Sequence, residues 1–136
     1  MAIKRSAPDV GYVSPSIFRQ LNVSQTVRAN NMVYFSGIVA ATGNGEAVAK
    51  GDAAGQVRFV LEILKRLLKE EGLSFTNLVV ATVYTPDLDA IMKNLGIFAE
   101  AFAGNPPTFQ AMGVKNLSSP DYLLELVAVA AVSPGP

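Results

Sequence analysis

Leu78-Val79-Val80-Ala81-Thr82-Val83-Tyr84 is a run in which only Thr82 breaks the apolar character. A half-buried strand alternates apolar and polar side chains with a period of two, so a run apolar at both parities predicts a strand covered on both faces. Different periodicities flank it. Upstream, Val57, Val60, Leu61, Leu64 and Leu68 recur at i, i+3, i+4 and i+7, which predicts a helix with Asp52 as N-cap and Gly72 as its stop. Its other face carries Arg58, Glu62, Lys65, Arg66 and Lys69 and is expected to be solvated. Downstream, Thr85-Pro86 predicts a cap and a first-turn proline. Leu88, Ile91, Met92, Leu95, Phe98, Ala99 and Phe102 then form one stripe suited to core packing, and Gly104 ends this second helix.

Further out, Leu21 to Arg28 and Met32 to Ser36 are β-prone runs on either side of Ala29-Asn30-Asn31, which predicts a hairpin. Residues 39–51 hold Gly43, Asn44, Gly45 and Gly51 and are expected to form a surface loop. Without a following Gly-Lys-Ser/Thr, that loop is not a phosphate cradle. Residues 108–114 predict a strand, 115–121 a loop and 122–132 a closing strand. Residues 1–20, with Pro8, Gly11 and Pro15, are expected as an irregular N-terminal arm, and 133–136 as a tail.

The expected architecture is α/β (α+β): one domain over residues 21–132 with a single mixed β-sheet and two helices packed on one face. Two helices cannot cover the other face. Leu78, Val79, Val80, Leu124, Leu126, Val127 and Val129 place apolar side chains on both sides of their strands, so the uncovered face predicts self-association. Burying roughly 500 Å² of it per subunit contributes about 12 kcal/mol before association costs.

Composition limits the chemistry. Among the 136 residues there is no cysteine and no histidine, which excludes thiolate nucleophiles, imidazole triads and the common zinc sites. No metal or organic cofactor is expected. Eleven basic and eleven acidic residues leave no net field for a phosphate backbone, which argues against nucleic acid as a partner. No apolar run reaches the ~20 residues of a membrane span, and a cytoplasmic location is the default expectation.

An ordered series of segments resembles the reactive intermediate deaminase family (Rid, the YjgF type, also described as endoribonuclease L-PSP). Val33-Tyr34-Phe35-Ser36-Gly37 resembles its V-F-x-S-G strand. Gly51-Asp52 with Gln56, Val60, Leu61 and Leu64 resembles G-D-x-x-x-Q-x-x-x-V-L-x-N-L, with Ile63 in place of the asparagine. Val79 to Leu88 is similar to the V-V-K-T-T-V-F-L-x-D-M segment. Phe98, Phe102 and Pro106-Pro107 are similar to Y-x-x-F-F and P-P, and Leu124 to Ala130 to I-E-I-E-A-I-A. The resemblance spans residues 20–132. It implies a chorismate-mutase-like subunit of the bacillus type, a homotrimer built on the open sheet face, and small-molecule clefts between subunits. It also implies cofactor-free hydrolysis of enamines and imines, such as 2-aminoacrylate, to ketoacids and ammonia. Some family members are described as endoribonucleases or translation inhibitors, a third function behind hydrolysis and non-catalytic binding of a small molecule.

Carried over residue by residue, Glu125 matches the first glutamate of I-E-I-E, which the resemblance assigns to positioning water. Inside an apolar strand its pKa is expected to rise, although an edge carboxylate paired with a cation fits equally. Substrate-binding candidates are Val23, Ser36, Gly37, Ile38, Asn94, Phe109 and Gln110. Phe109 stands where P-P-x-R-S/T has its arginine, Ala111 where a cysteine follows, Val23 where a tyrosine stands and Ile38 where S-G-Q has its glutamine; Gln25 is retained. Without that guanidinium an anionic ligand lacks its partner, which argues against classical 2-imino acid hydrolysis. Either Arg19, Arg28 or Lys115 supplies another cation, or the ligand is neutral and stacks on Phe109. Phe109 also fits a core position, Ser36-Gly37 a bulge or turn, and Asn94 a solvent-facing amide. Asp87 and Asp89 suit a helix start better than a metal.

Overall fold

The computed structural model describes residues 2–133, and the last three residues of the expected tail lie outside them. Eight strands and four α-helices follow in order: β1 (Ile3–Ser6), α1 (Pro15–Leu21), β2 (Thr26–Ala29), β3 (Met32–Val39), β4 (Ala41–Thr42), β5 (Glu46–Ala47), α2 (Ala53–Glu70), β6 (Leu78–Thr85), α3 (Leu88–Met92), α4 (Leu95–Ala101), β7 (Thr108–Gly113) and β8 (Glu125–Ala131). Six strands form one mixed sheet in the order β1-β2-β3-β8-β6-β7. Only the β6–β7 pair is parallel.

The apolar run that opens the argument is β6, an interior strand between β8 and β7. Ala81 and Val83 pair with Ala128 and Leu126, and all four are buried under the helices. Val80, Thr82 and Tyr84 pair with Val129, Val127 and Glu125 on the opposite face, where most side chains are only half-buried and Tyr34 of β3 is exposed. The core therefore lies on one side, between the sheet and α2, whose Val57, Val60, Leu64, Leu67 and Leu68 are fully buried. Asp52 caps α2 by accepting from the Gly55 N–H at 2.9 Å, and Gly72 follows its end at φ +74°.

Five expectations need correction. Residues 1–20 are not an irregular arm. β1 pairs antiparallel with β2, and Lys4 reaches Glu71 at 3.3 Å. Pro15 opens α1 and Asn22 closes it in the left-handed conformation at φ 55°. The hairpin's first strand accordingly starts at Thr26, not Leu21.

The second helix is also broken, into α3 and α4. Its cap is Asp87, whose carboxylate accepts from the Ala90 N–H at 3.1 Å, while Thr85 donates to the Leu123 carbonyl at 2.7 Å. A break at Lys93 and Asn94 separates the two helices, and Ile91, Phe98 and Phe102 are buried along one stripe while Leu88 and Met92 are exposed.

The loop over 39–51 includes the small β4–β5 hairpin, and Val39, Ala40 and Ala41 are buried in it. The closing strand starts at Glu125 rather than Tyr122, because side chains take the preceding backbone partners. The Gln56 side chain accepts from the Leu123 N–H at 2.8 Å and donates to the Asp121 carbonyl at 2.9 Å.

Candidate functional site

Glu125 is the first residue of β8, a central strand, paired with Val39 on one side and Tyr84 on the other. Between Phe35 and Ile38 the β3–β8 register shifts, so Ser36 and Gly37 together face Val127. This β-bulge re-aims the strand. It lays Gly37 directly against the Glu125 carboxylate: a Cβ on Gly37 would overlap the Oε2 atom. Ser36 donates from Oγ to the Ser24 carbonyl at 2.6 Å and from its N–H to the Gln25 carbonyl at 2.9 Å, which ties the bulge to the segment before β2.

Burial raises the Glu125 pKa above its ordinary 4.5. Among the described residues no cation forms an ion pair with it, and its strand is interior rather than an edge. Tyr12 stands nearby. Its hydroxyl oxygen accepts from the Val39 N–H at 2.8 Å, and burial, with a smaller contribution from the Glu125 charge, pushes its pKa up to about 12. Sequence reasoning missed Tyr12, whose only signal was an aromatic residue in a segment without periodicity. Gln25 is buried beside the bulge, its amide 3.4 Å from the Ser36 carbonyl and its Oε1 without a partner among the described residues.

Phe109 is on the other side of the sheet. Thr108, Gln110 and Met112 of β7 register with Val80, Thr82 and Tyr84 on the open face, whereas Phe109 and Ala111 register with Ala81 and Val83 on the helix face. There its ring centroid lies 5.2 Å from that of Phe98 and 6.4 Å from that of Phe102. The rings line a cavity of about 490 Å³ under the free edge of β7.

One chain therefore brings Ser36, Gly37 and Glu125 together but keeps Phe109 apart from them. The other candidates divide as follows. Gln110 shares the open face with Glu125, one strand removed. Ile38 is fully buried in the core rather than open at the surface of the site. Val23 is exposed after α1, and Asn94 donates to the Ala90 carbonyl at 2.7 Å in the α3–α4 turn, where it is half-buried rather than solvent-facing. Of the cations considered as replacements for the guanidinium, Arg28 is committed to Glu71, 3.6 Å away on the helix side, while Arg19 and Lys115 are exposed.

The family model described as Endoribonuclease L-PSP matches residues 19–132. The chain belongs to the endoribonuclease L-PSP family, also called Rid or YjgF. Among curated members, the 3-aminoacrylate deaminase RutC of Acinetobacter baylyi is 34% identical over 77% of this chain and 82% of its own length. A RutC family protein of Pyrococcus horikoshii is 32% identical over 79% and 84%. The crystal structure of yeast Mmf1 superposes with a TM-score of 0.84 at 23% identity, covering 97% of this chain and all of that one. A YjgF/YER057c/UK114 family member from Mycobacterium tuberculosis gives 0.79 at 21%, covering 96% and 100%. The chorismate-mutase-like fold of this L-PSP family member agrees with these neighbours.

Proposed function

We propose that this Rid-family chain is a cofactor-free hydrolase that deaminates a small enamine or imine in clefts between the subunits of a homotrimer. The observation that carries this is the Glu125 carboxylate, half-buried, without an ion-pair partner among the described residues and laid over the Gly37 bulge. Such a carboxylate can accept a proton from water as the oxygen attacks the C=N carbon, then return it to the departing nitrogen. Water adds, the C–N bond breaks, and a carbonyl compound and ammonia leave. The similarity to a protein named 3-aminoacrylate deaminase supports the reaction class.

The geometry fits such a trimer. Because the Glu125 and Phe109 groups sit on opposite faces of one sheet, a single ligand touches both only where two copies meet. The test is ammonia release from freshly generated 2-aminoacrylate, 2-iminobutanoate and a set of neutral imines. Acceleration of at least one, lost about 100-fold or more in Glu125→Gln, is expected. No acceleration across the whole set sinks the proposal. Phe109 in place of the arginine favours a second function, non-catalytic binding of a small molecule, and saturable binding without turnover would select it.

A further inference from the structure

The cavity beneath the β7 edge is walled by Leu95, Phe98, Phe102, Pro106, Pro107 and Phe109, and small residues, Ala103 among them, form the rest. None of its nine lining residues carries an ionisable group. Its volume of about 490 Å³ falls in the range of small-molecule sites. Phe98 and Phe109 are tilted by 49° with centroids 5.2 Å apart; Phe98 and Phe102 are buried, so the half-buried Phe109 is the ring of the three left open to a flat guest. A carboxylate held in this space would find no cation to pair with, whereas an uncharged ring or branched alkyl group would need none.

We infer that this cavity is the subsite that sets substrate class, and that it takes a flat, uncharged apolar substituent, so the chain acts on neutral enamines or imines in preference to 2-imino acids. The inference rests on the hydrolase function proposed above. In the neutral case the balance is unchanged: water adds to the C=N carbon, ammonia leaves, and a neutral ketone or aldehyde forms.

Acetophenone and benzoate, alike in size but differing in charge, test the subsite without requiring turnover. Titrated by NMR into the intact protein, acetophenone should shift the Leu95 methyl and Phe98, Phe102 and Phe109 ring signals, with a Kd at least about tenfold below that of benzoate. Phe109→Arg should reverse that order. Ala103→Trp, at an exposed position on the cavity wall, should abolish acetophenone binding while leaving the fold intact. The companion assay compares hydrolysis of the N-unsubstituted imine of acetophenone with that of 2-iminobutanoate. Acetophenone binding without acceleration of any imine or enamine in the full set supports the apolar site and removes the hydrolase proposal. Tighter binding of benzoate to the unmodified chain, or preferred turnover of 2-iminobutanoate, overturns the subsite. So do cavity signals that ignore both probes but change on dilution, since a second copy then fills the space.

Discussion

Gly37 and Glu125 form a contact that only a missing side chain permits. An alanine at 37 keeps ordinary backbone geometry there, yet its methyl would occupy the carboxylate's place and turn the flexible Glu125 side chain aside. Gly37→Ala is therefore expected to cost less than about 1 kcal/mol in urea unfolding. The same variant should lower kcat/KM by about 100-fold, the usual effect of displacing a reacting group by an ångström.

Burial of Glu125 also gives stability a pH dependence. Its folded-state pKa is raised, so the stability tied to its proton is fully present below the unfolded value and is lost as pH rises through the folded value. Glu125→Gln removes that loss. The variant should match the native chain in urea midpoint near roughly pH 4 and exceed it near roughly pH 8; a gap that shrinks with rising pH would contradict the assignment.

The elements that hold the site depend on one buried amide. Gln56 of α2 donates to the Ala49 and Asp121 carbonyls at 3.3 and 2.9 Å and accepts from Leu123 at 2.8 Å, fixing the segment that leads into β8. Gln56→Leu leaves those backbone groups buried without partners and should cost about 2–4 kcal/mol, measured by denaturant unfolding.

Elements of this kind also show what the sequence could disclose. α2 was legible because eighteen residues repeat one spacing between a cap and a glycine, and β6 because its apolar character ignores parity. β1 was not, since three exposed residues and one half-buried residue stay in the sheet by pairing with a distant strand and an ion pair 67 residues away. The α3–α4 break was hidden because Asn94 interrupts the helix while the apolar spacing runs through it unchanged. At the site, the Ser36-Gly37 bulge and Glu125 could be anticipated from their motif. The separation of Phe109 from Glu125 could not, because it follows from strand register.

At the scale of the whole molecule, the face carrying Tyr34, Val80, Thr82, Val127 and Val129 has no helix over it. Replacing Val129 by aspartate puts a charge in the middle of that face while leaving the helix-side core untouched. Sedimentation should then show single subunits where the native chain is expected to run as trimers, and the proposed hydrolysis should disappear with assembly. A native chain that already sediments as one subunit would remove the clefts altogether.

The opposed placement of the carboxylate and the aromatic cluster has a genetic consequence. If every reaction centre borrows its two halves from different copies, a Glu125→Gln chain and a chain crippled at Phe109 are defective in different places. Refolded together, they assort at random, and about one centre in four draws an undamaged half from each parent. Two dead proteins, mixed, should come back to life.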